Sequence, residues 1–238
     1  MEYLTWLVPG HENFLVSFSF WFATAMMLAA TAFFYVERRD VNAKWKTSLT
    51  VAMLVTGIAF WHYLYMTDYF FATGNSPIVL RYVDWLITVP LQIVEFYLIL
   101  AAVTTVSKSL FWQLLVASLV MLVGGFLGEA GLMARMPAFV IGMLGWFGVL
   151  YLIFMGEAAK ANDASGNEAG QKAFSALKWI VLVGWAMYPI GYYLDGTGHT
   201  TDIVYNFADL VNKAAFGLVI WAAAKLSLIH ISEPTRPY

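Results

Sequence analysis

Apolar residues fall into seven blocks of near-bilayer length, separated by short polar breaks. The blocks lie at roughly 13–37, 47–70, 77–106, 109–131, 136–158, 173–194 and 202–225. Each is close to the ~20 residues that a helix needs to cross the hydrocarbon layer. The breaks between them, "ERRDVNAKWK", "ATGNSP", "VSKS", "GEAGLMARMP", "GEAAKANDASGNEAGQK" and "DGTGHTTD", are rich in turn-forming and charged residues. None is long enough for a separate soluble domain, and there is no internal repeat. The pattern predicts an all-α membrane protein, with residues 1–225 forming one bundle of seven transmembrane helices. The first block follows "MEYLTWLVPGHEN", which has no positively charged start and leads to no cleavage site. It is therefore expected to be a retained span rather than a signal peptide. The closing "LSLIHISEPTRPY" departs from the pattern of the last helix, so residues 226–238 are expected to be a disordered or non-native tail.

Loop charges give the direction. Arg38, Arg39, Lys44, Lys46, Lys108, Lys160, Lys172, Lys178 and Lys225 gather on one side. The other side has Arg135 as its basic loop residue, beside Glu2, Glu12, Asp68, Glu129, Asp195, His199 and Asp202. The positive-inside rule then places the N-terminus outside and the C-terminus in the cytoplasm, as an odd number of spans requires. A net charge of −2 offers no basic footprint for nucleic acid. The absence of cysteine excludes disulfides, thiol catalysis and cysteine-ligated metals.

Against this apolar background, "RYVDWLITVPLQIVEFYLIL" (81–100) stands out for its charges. A charge at mid-bilayer costs a few kcal/mol or more, so such residues are usually functional. Glu95 follows Asp84 by eleven residues, about three turns or ~16 Å further along nearly the same helix face. Arg81 and Thr88 lie one turn either side of Asp84. Thr88 alone would serve as glue between helices and Arg81 would reach outward, but glue needs no pair of titratable groups. On the last helix, Asp209 and Lys213 share a face at i, i+4. Lys213 is too deep to reach the surface comfortably. It is either half of a buried ion pair or an amine committed to a covalent Schiff base with a carbonyl cofactor. A protonated linkage of that kind needs a carboxylate nearby, and Asp84 and Asp209 are available. The sixth helix adds Trp185, Tyr188 and Pro189 in "WAMYPIGYY", a plausible slot for a flat conjugated ligand beside such a lysine.

These three stretches, "RYVDWLITVPLQIVEFYLIL", "WAMYPIGYY" and "DLVNKAAFGLVIW", closely resemble those of microbial rhodopsins, and among them proteorhodopsins of the blue-absorbing type. The resemblance extends from the first span to Lys225, and it implies the following assignments. Lys213 carries all-trans retinal as a Schiff base. Asp84 is the proton acceptor, Asp209 the second counter-ion, and Arg81 steadies that pair from outside. Glu95 is the cytoplasmic proton donor, which must hold its proton at rest. Trp85, Met121, Trp146, Trp185 and Tyr188 flank the polyene, Thr88 sits near the Schiff base, and Gln92 tunes the colour towards blue. His62 hydrogen-bonds the acceptor, and Trp21 approaches that histidine across a protomer boundary of a pentameric or hexameric ring. The expected function is light-driven outward proton transport across the bacterial inner membrane, with no metal and no enzyme chemistry.

Other readings of the same residues are a slow-cycling photosensor, an anion or sodium pump, and a solute transporter with an ordinary Lys213–Asp209 ion pair. Glu95 argues against the sensor. Asp84, whose negative charge would repel a transported anion, argues against the anion pump. The sodium pumps of the family carry Asn and Gln where Asp84 and Glu95 stand. A visible absorption band on adding retinal separates all the rhodopsins from the transporter.

Overall fold

A computed structural model describes residues 2–101, 104–194 and 199–232. Seven of its helices are long and apolar enough to cross a membrane: Phe14–Asp40, Ala43–Thr73, Ile78–Ala101, Lys108–Glu129, Arg135–Ala164, Glu168–Tyr193 and Thr200–Leu226. They are called here the first to seventh helices. No strand occurs among the described residues. The expected bundle of seven membrane helices is therefore present, with boundaries shifted by a few residues.

The helix ends follow from local chemistry. Asn42, Ser107 and Asn167 cap the second, fourth and sixth helices through side-chain oxygens that accept from Lys44, Leu110 and Gly170 backbone N–H groups. The second helix stops at Gly74, whose φ of 67° is the left-handed conformation that glycine adopts without a Cβ penalty. One expected loop is corrected. In "GEAAKANDASGNEAGQK", residues Glu157–Ala164 form the end segment of the fifth helix, set off from Arg135–Phe154 by a short break, and the sixth helix already begins at Glu168. Alanine-rich sequence propagates helix well even when polar, and here Ala158 and Asn162 are buried beneath it. The seventh helix continues to Ser232, so the expected tail begins as helix; residues 233–238 and Asp195 lie outside the described residues.

Two features of packing shape the interior. The fourth and fifth helices meet through glycines: a Cβ on Gly124 would lie 2.5 Å from the Gly142 backbone nitrogen, and one on Gly142 would lie 3.3 Å from the Met121 carbonyl. Small residues let helix backbones approach in this way where lipid supplies no hydrophobic drive. The sixth and seventh helices each contain a π-helical stretch, Ile180–Gly184 and Leu210–Ala215, and the two stretches pack against each other. The extra residue in each turn pushes side chains off the regular helical register, a device common at functional sites. Lys213 lies within the second stretch.

Candidate functional site

At the centre of the bundle, Lys213 from the seventh helix meets Asp84 from the third. Its Nζ donates to Asp84 Oδ2 and lies 3.0 Å from Asp209 Oδ2. All three side chains are fully or nearly fully buried. An amine so placed needs its carboxylates, because an uncompensated buried charge is costly.

The two carboxylates differ in their surroundings. Asp209 is saturated: it accepts from Tyr63 Oη at 2.9 Å, Trp85 Nε1 at 2.9 Å and Tyr188 Oη at 2.7 Å, in addition to the lysine. Asp84 has Lys213 on Oδ2, while its Oδ1 has no hydrogen-bond partner among the described residues. His62 Nδ1 lies 3.5 Å from that bare oxygen and 2.9 Å from the Ile58 carbonyl. Thr88 gives its hydroxyl to the backbone carbonyl of Asp84, at 2.9 Å, and so steadies the acid through its own helix turn.

Lys213 opens into a cavity walled by aromatic side chains. Trp85, Trp146, Trp185 and Tyr188 line it, together with Met121 and Gln92. Trp146 is fixed by a hydrogen bond from Nε1 to the Val181 carbonyl at 3.2 Å. Pro189 has no N–H to give back to Trp185, whose carbonyl accepts instead from Tyr188 N–H at 3.1 Å. Gln92 donates from Nε2 to the carbonyl of Asn212, the residue before the lysine. Asn212 in turn donates to the Gly184 carbonyl at 2.9 Å, which joins the two π-helical stretches. A Cβ at Gly184 would collide with Asn212 Oδ1. Gly184→Ala is expected to cost about 1–3 kcal/mol through overpacking, read as a lower thermal unfolding temperature than in the wild type.

Glu95 lies in the same helix as Asp84, displaced away from the Gly74 end of the bundle. It is 1% exposed, and neither of its oxygens has a hydrogen-bond partner among the described residues, although Ser48 is beside it. Beyond the Ser48 hydroxyl, no cation stands beside it among the described residues, so the position suits an acid that holds its proton.

Arg81 acts on Asp209 through charge rather than contact. It does not touch Asp84 or Asp209; its Nη2 donates to Asp202 at 2.9 Å and to Asn206 Oδ1 at 2.8 Å. Its guanidinium also lies over the rings of Phe20 and Tyr205, at 5.2 and 5.6 Å. The link to Asp209 is indirect, through Asn206 and Tyr63. Asp202, Asn206, Tyr63 and Asn212 were not among the site residues read from the sequence. Trp21 is 44% exposed on the outer face of the bundle.

A seven-helix membrane bundle built around a buried lysine, two carboxylates and an aromatic-walled cavity has the layout of a retinal protein. The chain belongs to the family described as bacteriorhodopsin-like proteins, which matches residues 14–227. It is 56% identical over 216 residues to the blue-light absorbing proteorhodopsin of Gamma-proteobacterium Hot 75m4, across 88% of this chain and 86% of that protein. To the green-light absorbing proteorhodopsin of Gamma-proteobacterium EBAC31A08 it is 57% identical over 212 residues, across 87% and 85%. The crystal structure of a blue light-absorbing proteorhodopsin from Med12 aligns with a TM-score of 0.79 at 56% identity, covering 89% of this chain and 98% of that one. Family membership implies retinal bound to a lysine. The residues fit that group: Lys213 presents a buried amine to a cavity walled by flat aromatic faces.

Proposed function

We propose that the chain is a light-driven outward proton pump, with retinal on Lys213, Asp84 as proton acceptor and Glu95 as donor. The observation that carries this reading is the asymmetry of the two central carboxylates. Asp209 accepts from three hydrogen-bond donors and pairs with the lysine, so its oxygens are fully engaged. Asp84 contacts the Lys213 nitrogen through one oxygen and turns the other towards His62, with no hydrogen bond to it among the described residues, so it has room to take a proton. Retinal, when bound, supplies light absorption and an isomerisation that changes the surroundings of the Lys213 nitrogen.

Asp84 then receives the proton from that nitrogen on the outer side. Glu95, buried beside the Ser48 hydroxyl, later returns a proton to the same nitrogen from the cytoplasmic side. The direction follows from the loop charges, which place the Asp84 end outside. His62, beside the bare oxygen of Asp84, positions that acid. In this reading the membrane is the bacterial inner membrane. Exposed Trp21 and the shallow cavity beside His62, lined also by Trp61 and Gly57, form the side of a ring-shaped homo-oligomer.

Cells producing the protein and given all-trans retinal should acidify an unbuffered medium on illumination, and a protonophore should abolish the signal. A coloured protein that leaves the medium unchanged would overturn the pump and support the slow-cycling photosensor.

Overall similarity does not decide colour, because identity to blue- and green-absorbing relatives is nearly equal. Gln92 carries that part of the proposal: it lines the cavity and bonds the backbone next to Lys213. A dipole that favours positive charge near the lysine widens the gap to an excited state in which that charge moves away. The pigment is expected to absorb blue light. Gln92→Leu should shift its maximum to longer wavelength while pumping persists; an unshifted or blue-shifted band would leave Gln92 as a helix-to-helix contact.

A further inference from the structure

Trp45 takes part in none of the steps above, although it sits 1% exposed near the start of the second helix. Its indole Nε1 is buried and has no hydrogen-bond partner among the described residues. A buried tryptophan usually engages that N–H, and others in this bundle do. Trp85 donates to Asp209 at 2.9 Å, Trp146 to the Val181 carbonyl at 3.2 Å and Trp221 to Glu37 Oε2 at 2.8 Å. A buried donor left without a partner is unfavourable, so it calls for a reason.

The reason lies one turn away. Trp45 and Ser48 are three residues apart, on one face of the second helix. Both are buried, and the Ser48 hydroxyl stands beside Glu95. In the pump reading the second helix starts at the cytoplasmic side, so Trp45 lies between that medium and the acid. Its ring shares a buried cluster with Phe96, Ile99 and Leu100 of the third helix and Ile220 of the seventh. The charges at this end point away or are engaged: Lys44 and Lys46 are exposed, and Glu37 pairs with Lys225 at 2.7 Å.

We propose that Trp45 is a positioning residue of the proton donor, an inference that rests on the pump reading. While Glu95 is an acid, the indole N–H is idle. Once Glu95 gives its proton to the Lys213 nitrogen, a carboxylate remains among apolar side chains with one hydroxyl beside it. The Trp45 N–H then donates towards that carboxylate through one water drawn in from the cytoplasmic side. The indole keeps its own proton throughout, since it is a donor alone. That water gives one proton to the Glu95 carboxylate and takes another from the next water outward. The acid is regenerated and one proton leaves the cytoplasm. Trp45 thus acts twice: it steadies the carboxylate that donation creates, and it holds the water from which the donor is refilled.

The test uses the full retinal-loaded protein in vesicles, a light flash, and time-resolved visible and infrared absorption. In the wild type, an indole N–H stretch should move to lower frequency as the Glu95 carboxyl band disappears, and return with it. Trp45→Phe keeps an aromatic ring and removes the N–H. It should show wild-type colour, wild-type transfer to Asp84 and an unchanged resting Glu95 carboxyl band. Loss and regain of the Glu95 proton should each slow by about tenfold, the effect of one hydrogen bond to a charged group, and the N–H signal should vanish. Asn162→Ala, which removes another buried atom without a partner, Asn162 Oδ1, should keep wild-type timing. Wild-type timing in Trp45→Phe would overturn the proposal, whatever Asn162→Ala does. So would slowing in Trp45→Phe when the wild type gives no N–H signal, which is the mark of ring packing alone. If Trp45→Phe forms no pigment, Ser48→Ala decides. The carboxylate then leans on the indole alone, so the N–H shift should grow, and an unchanged shift overturns the proposal. A wild type whose Glu95 band never changes after the flash would refute the pump reading itself.

Discussion

Lys213→Ala is expected to give a membrane-inserted protein that stays colourless in the presence of all-trans retinal. The loss should be complete if the amine that opens into the aromatic cavity is, as proposed, the point of covalent attachment. The substitution has a second consequence. It leaves Asp84 and Asp209 facing each other without their shared cation, and breaking a buried pair costs about 3–5 kcal/mol. Lys213→Arg separates the two effects. It keeps a positive charge between the carboxylates but cannot form the linkage, so it should be better folded than the alanine variant and equally colourless. Absorption spectra after retinal addition, with far-ultraviolet dichroism for helix content, give both readings. A normal visible pigment in either variant would remove Lys213 from its role.

How much of this was legible in the sequence depended on how far each residue stood out from an apolar background. Asp84, Glu95, Asp209 and Lys213 are charges inside spans, and the price of burying them marks them for attention. The bundle itself followed from block length, and "WAMYPIGYY" from its aromatic spacing. Residues whose signal is ordinary were passed over. Tyr63 and Asn206 are a tyrosine and an amide within apolar helices, and only their contacts with Asp209 and Arg81 distinguish them. Asp202 sits two residues into its helix and reads as one more loop charge, although it is the acid that Arg81 pairs with. The π-helical stretches at Ile180–Gly184 and Leu210–Ala215 leave no trace in a 3.6-residue pattern, because both neighbouring segments stay apolar. Helix Glu157–Ala164 was missed for the opposite reason: its polarity suggested a loop while its alanines favoured helix.

The division of labour along the third helix yields the other large effect. Asp84→Asn should reduce light-driven proton release to background, because the amide has no basic oxygen with which to take a proton from the Lys213 nitrogen. A positioned base contributes about 10²–10⁴-fold to such a transfer. The same change removes one negative charge next to the Lys213 nitrogen, where it favours the cationic ground state, so the absorption maximum should move to the red. Glu95→Gln is expected to behave differently on both counts. Glu95 is eleven residues, or ~16 Å, further along the helix, so the resting colour should match the wild type. The first transfer, to Asp84, should keep its rate, and the return of the proton should slow by about 10²-fold because no carboxyl stands ready to supply it. Time-resolved absorption resolves the two stages in each variant. A red-shifted Glu95→Gln, or a common defect in the first transfer, would mean that the two acids act as one cluster. An intact first transfer with delayed recovery in Glu95→Gln alone would assign acceptance to Asp84 and supply to Glu95.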